Sequence, residues 1–134
     1  MAFLIHSIDD GHVPAWEYLP CSAITPKVGM ALTQSSGNLA IATGTTKPTY
    51  ISMVEKSAAC TAGDLIPVIR VSPDIIFETT ISASGTSLNK GDKVTLHASS
   101  GLQVTATTSS GVAEIIDFPS GSQASGATVR VRFS

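Results

Sequence analysis

The stretch Ala127-Thr128-Val129-Arg130-Val131-Arg132-Phe133 decides the fold class. Val129, Val131 and Phe133 alternate with Thr128, Arg130 and Arg132. A period of two gives one apolar and one wet face only when the backbone is extended, so the segment predicts an amphipathic β-strand. Working outward from it, short β-branched and aliphatic runs recur along the chain, separated by Gly, Ser, Asn and Pro. They predict strands at about 30–34, 39–42, 50–55, 65–71, 75–81, 93–97, 102–107, 112–118 and 127–133. Ser35-Ser36-Gly37-Asn38 and Ser99-Ser100-Gly101 read as hairpin turns, because Gly and Asn accept the positive φ such turns need. No segment holds a helical period. The expected fold is all-β, a compact barrel or sandwich.

The strands repeat. At a separation of 62 residues Gly29 meets Gly91, Ala62 meets Ala124, Arg70 meets Arg132, and Ser72 meets Ser134. Glu55 meets Asp117. With slips of one or two residues in turns, Leu39-Ala40-Ile41 falls on Leu102-Gln103-Val104, and Trp16-Glu17 on Phe77-Glu78. The chain therefore divides into an N-terminal arm over 1–15, a first pseudo-repeat over 16–72 and a second over 75–134. Halves of this size bury little core alone and are expected to pack together as one domain.

Comparing the halves singles out candidate contact residues. The strand at 65–71 is expected to turn Leu65, Pro67, Ile69 and Val71 inward. Its other face then carries Ile66, Val68 and Arg70 where the second half shows Thr and Arg to water. Ile66 and Val68 mark a covered surface, under either a partner or the other half. The arm region concentrates Phe3, Leu4, Ile5, Trp16 and Tyr18, and Trp and Tyr are common interface anchors. The arm is expected to dock on a partner or to pack on its own barrel.

Composition narrows the function. Charged residues are 13% of the chain, against a usual ~25%, and hydrophobic residues are 43%. A weakly charged, fairly apolar surface fits a protein partly covered by partners. The net charge of −2 and the absence of a basic run leave no footprint for a nucleic-acid backbone. No apolar run reaches the ~20 residues of a membrane span, and the opening Met-Ala-Phe-Leu-Ile lacks a basic flank, so synthesis in a cytoplasm is expected. Cys21 and Cys60 form no metal motif, and read as small buried hydrophobes or as a disulfide.

Catalytic signatures are missing: there is no GxSxG, HExxH, P-loop or GxGxxG. His97 beside Ser99 and Ser100 reads as a satisfied histidine, and Glu55, Glu114 and Asp117 as scattered strand acids. The run His6-Ser7-Ile8-Asp9-Asp10-Gly11-His12 holds four ligand-type side chains but lacks structural-zinc spacing, and Asp-Asp-Gly favours a turn. No enzyme activity, cofactor or metal is expected.

Pro26-Lys27-Val28-Gly29-Met30-Ala31-Leu32-Thr33, Gly37-Asn38-Leu39-Ala40, Ile51-Ser52-Met53-Val54-Glu55 and Gly63-Asp64-Leu65-Ile66-Pro67-Val68-Ile69-Arg70-Val71 together resemble the small decoration, or cement, proteins of bacteriophage heads. Gly91-Asp92-Lys93-Val94-Thr95-Leu96 and Gly126-Ala127-Thr128-Val129-Arg130-Val131 repeat the pattern. The resemblance implies a virion structural module without catalytic residues. It would bind the major capsid protein on the outer surface of an assembled shell as a homo-oligomer, often a trimer at symmetry axes. The duplication and the arm depart from shorter family members. The competing expectation is a carbohydrate-binding or adhesin module of a head fibre or receptor-binding apparatus. A hydrolase is the third.

Overall fold

The computed structural model describes residues 2–9, 11 and 13–134. Among them are ten strands and no helix: β1 Leu4–Ile8, β2 Trp16–Pro20, β3 Ala31–Ser35, β4 Asn38–Ile41, β5 Tyr50–Ser52, β6 Leu65–Arg70, β7 Ile75–Thr80, β8 Lys93–Val94, β9 Ala113–Asp117 and β10 Thr128–Phe133. They form two antiparallel sheets, an N-terminal one of order β2-β6-β5-β3-β4 and a C-terminal one of order β1-β7-β10-β9-β8. The sheets are stacked as a sandwich and do not close into one barrel. The all-β expectation holds, and the barrel alternative gives way to the sandwich.

The expected arm is not free. Leu4–Ile8 is an edge strand on β7, with Leu4 opposite Glu78 and Ile8 opposite Ile75. Phe3 is buried, its ring 5.2 Å from that of Phe133, and its N–H donates to the Gly29 carbonyl at 2.8 Å. An aromatic side chain of this size gains more from the core than from water.

The two sheets are wired alike. β2 pairs with β6, β6 with β5, β5 with β3 and β3 with β4; β7 pairs with β10, β10 with β9 and β9 with β8. The predicted strand at 102–107 contributes bridges rather than a regular strand, with Val104 opposite Leu96. Each sheet then curls so that one parallel bridge forms just past β2 or β7, Cys21 to Leu39 in the first and Ile81 to Val104 in the second. The accompanying hydrogen bonds match as well. Cys21 N–H donates to Asp64 and Gly63 N–H to Cys21; Ile81 N–H donates to Ala127 and Gly126 N–H to Ile81. Gly63 and Gly126 hold the same turn at φ 94° and 88°, a region where a Cβ is strained.

These matches put Ile66 and Val68 in correspondence with Val129 and Val131, a separation of 63 rather than 62 residues. A one-residue slip exchanges the two faces of a strand. Ile66 and Val68 accordingly lie inside the curl, fully buried with Leu32, Leu39, Tyr50, Cys21 and Cys60. Of the two covers expected for them, a partner or the other half, the structure shows burial within the chain, supplied by their own sheet rather than by the other half, so they are not partner-contact residues. Ala31, Ile51 and Ile69, on the opposite face of the same sheet, join Phe77, Val131 and Phe133 in the larger core between the sheets.

Burial, and then the neighbouring Cys60 thiol, pushes the Cys21 thiol from 9.0 up to about 12. The folded state thus favours the neutral thiol, while the unfolded chain ionises near 9. This contribution to stability is complete below pH 9 and is lost as pH rises toward 12. Melting temperature measured across that window should fall more steeply for the wild type than for Cys21→Ala.

Candidate interaction surface on the N-terminal edge strands

Strand alternation places Trp16, Tyr18 and Pro20 on one face of β2, opposite Ile69, Pro67 and Leu65 of β6. Ile69 is covered by the C-terminal sheet. The cover does not reach Trp16 beside it, nor Tyr18 and Leu65 farther along the same face, which stand at 56%, 60% and 62% exposure. Large apolar side chains at these values, adjacent on one face, form a strip rather than scattered surface residues. The opposite face of β2 is spoken for. Leu19 packs against the inner cluster, and Glu17 accepts two hydrogen bonds from Arg70, at 3.3 and 3.1 Å. Arg70 in turn lies 5.1 Å over the Tyr50 ring. The Glu17 carboxylate, with help from Tyr50, pushes the guanidinium pKa above its ordinary value.

The backbone of β2 is open on its outer side from Trp16 to Tyr18, ahead of the Cys21–Leu39 bridge. Met53 N–H donates to the Pro67 carbonyl, so Pro67 points its carbonyl to β5 and its neighbours Ile66 and Val68 point their N–H and C=O groups to β2. In an antiparallel ladder, directly opposed residues either bond each other or both face away. Glu17 and Leu19 therefore bond β6, whereas the N–H and C=O of Trp16 and Tyr18 face outward; past them the parallel Cys21–Leu39 bridge occupies the same side of the strand. No described residue pairs with them as a strand. At the equivalent edge of the other sheet, β7 is paired with β1, and Leu4 lies opposite Glu78, the counterpart of Tyr18.

β1 offers the second exposed pair, Leu4 and Ile5 at 55% and 42% exposure. Its register shifts between Ile5 and Ser7. Such a bulge twists an edge away from further pairing, which the regular ladder of β2 does not do. Of the seven residues singled out in sequence, the structure leaves Leu4, Ile5, Trp16 and Tyr18 on the surface and buries Phe3, Ile66 and Val68. Leu65 was missed because the register slip had assigned it inward.

Several of the candidate chemical groups make structural contacts. His97 Nδ1 accepts the N–H groups of Ser99 and Ser100 at 3.3 and 3.2 Å, capping its own turn. Asp117 lies 3.5 Å from Lys90 and 3.8 Å from Arg130, and Arg130 also donates to Glu78 at 3.1 Å. Asp9 accepts from Arg132 at 3.0 Å. Asp10 and His12 of the possible metal run lie outside the described residues, and among the described residues no three His, Cys, Asp or Glu side chains converge. A depression of about 330 Å³ between Leu88, Lys90, Asp117 and Gln123 is lined by the Lys90–Asp117 pair. No protein-family model, curated protein or solved structure matches the chain.

Proposed function

We propose that this chain is a virion structural protein that binds the outer surface of a phage capsid as a decoration or cement protein. The observation that carries the reading is the strip formed by Trp16 and Tyr18 of β2 with Leu65 of β6, uncovered on one face beside a β2 backbone edge that is open from Trp16 to Tyr18. Such a strand can accept an extended segment of the major capsid protein by antiparallel addition, with main-chain bonds for affinity and the aromatic strip for specificity. The filled edge of β7 supplies the precedent within the same molecule. Low charge keeps such a contact insensitive to salt. A homo-oligomer, a trimer by the resemblance, would sum several modest contacts into firm attachment.

The alike wiring of the two sheets supports a second part of the proposal, that the molecule is a tandem pair of units of about 60 residues. One unit has its outer edge filled by β1, and the other presents that edge to a partner. Assembly at a virion surface after synthesis in the host cytoplasm follows from this reading, without nucleic acid, membrane or cofactor.

The test is cosedimentation with empty capsids of the cognate phage. The wild type is expected to pellet with the shells at both low and high salt, and Trp16→Ala to bind at least tenfold more weakly, since an interface Trp contributes about 2 kcal/mol or more. The variant's melting temperature should stay within about 2 °C of wild type, because Trp16 is exposed.

One observation favours a carbohydrate-binding module as the second reading. Trp16 and Tyr18 stand about 7 Å apart on the same strand face, a spacing at which two rings can stack on a glycan. Retention on a glycan array, lost in Trp16→Ala, with no binding to capsids, would select it.

A further inference from the structure

We infer that Cys21 and Cys60 are a latent cross-link site, closed in the folded chain by exchange with a low-molecular-weight disulfide. Both are free thiols in the structure. They lie in the same apolar cluster, Cys21 fully buried and Cys60 5% exposed. The backbone brings the two segments side by side and fastens them at both ends. Cys60 N–H donates to the Ile24 carbonyl at 2.8 Å, while Cys21 accepts from Gly63 N–H and donates to the Asp64 carbonyl, each at 2.8 Å. The thiols are close enough for Cys60 to oppose ionisation of Cys21.

The second sheet shows what the pair is for. The shared wiring sets Thr61 in correspondence with Ala124, since Asp64 N–H donates to one and Ala127 N–H to the other. Cys60 therefore stands where the C-terminal sheet has Gln123. That side-chain amide donates to the Gly85 and Leu88 carbonyls at 2.7 and 3.0 Å and ties its loop to the chain leaving β7. At the matching place the N-terminal sheet has no amide. It has two thiols in one cluster, one just past the end of β2 and one on the segment that covers that cluster. A disulfide there would do covalently what Gln123 does by hydrogen bonds.

The exchange balances in two steps. Cys60, the less buried sulfur, attacks the small disulfide as its thiolate, forming a mixed disulfide and releasing one small thiol. Cys21, deprotonated as the covering segment opens, then attacks the Cys60 sulfur and releases the second. The protein loses two electrons and two protons, and both appear on the two small thiols. The chemistry needs only the isolated chain. If the decoration reading holds, the chain would remain reduced in the cytoplasm and be stapled after release into oxidising surroundings.

The experiment treats the reduced, folded protein with oxidised glutathione at mildly alkaline pH without denaturant. The expected product has lost the mass of two hydrogens and carries no glutathione. Digestion without reductant should yield one fragment joining the Cys21 and Cys60 peptides. Its melting temperature should rise by about 10 °C, as expected for closing a loop of this length, and fall back on reduction. Cys21→Ser should retain one glutathione on Cys60 and show no such rise. A wild-type chain that stops at a glutathione adduct, that cross-links only in denaturant, or that melts no higher once cross-linked would overturn the assignment. Capsid cosedimentation is a separate readout, so failure of the cross-link leaves the shell-binding proposal standing, and the reverse.

Discussion

Ile66→Asp should leave no cooperative thermal transition, with near-ultraviolet circular dichroism and tryptophan emission both those of an unfolded chain. Ile66 is fully buried inside the curled N-terminal sheet, among Leu39, Val68 and Cys21. Losing its packing costs about 3 kcal/mol, and an unpaired carboxylate at that depth adds several more, even when it takes up a proton. The sum rivals the whole stability of about 5–15 kcal/mol of an ordinary domain. Ile66→Val, which removes one methylene, should cost only about 1 kcal/mol. A folded Ile66→Asp with a near-normal melting temperature would mean that the side chain lies on the surface.

Gly111→Ala should lower stability by about 3 kcal/mol, read as a melting temperature lower by roughly 10 °C. Gly111 immediately precedes Val112, whose N–H donates to the Val94 carbonyl at 2.9 Å. A Cβ at residue 111 would fall inside the van der Waals envelope of the Lys93 carbonyl and of the Val94 nitrogen. These are backbone atoms of β8, so no rotamer change relieves the overlap; β8 must move off β9. Its two-residue ladder, Lys93 with Glu114 and Val94 with Ala113, is short enough to break. Chemical denaturation of both chains measures the difference; Gly121→Ala, where a Cβ meets nothing but the backbone sits at φ 77°, carries left-handed strain alone and should cost only about 1–2 kcal/mol.

Sequence periodicity read the fold class well because alternation is a local property. Thr128–Phe133 is the amphipathic strand its pattern predicts, with Val129, Val131 and Phe133 buried. β6 was harder. Its residues 65–71 are apolar on both faces, since one face lines the interior of the curl and the other packs against the second sheet. Alternation therefore carried no information about direction, and a single slip in the alignment exchanged the faces. For Phe3 the choice between a partner and the chain's own core stayed open for a different reason: proximity to a terminus does not reveal that β7 offers an edge and Phe133 a neighbour. Trp16 and Tyr18 were legible as anchors from residue type alone. Their shared face, the uncovered Leu65 and the outward N–H groups depend on register and on where the second sheet stops. Cys60 and Gln123 became comparable only once matching hydrogen bonds set their correspondence.

The most direct measurement of strand addition at β2 is amide hydrogen exchange of the wild-type chain, free and bound to empty capsids. The donors of Trp16 and Tyr18 point away from β6, so both amides should exchange rapidly in the free protein and become strongly protected on the shell. Glu17 and Leu19, already bonded to β6, should change far less. Bound protein whose Trp16 and Tyr18 amides exchange as fast as before, with protection appearing elsewhere, would contradict the account.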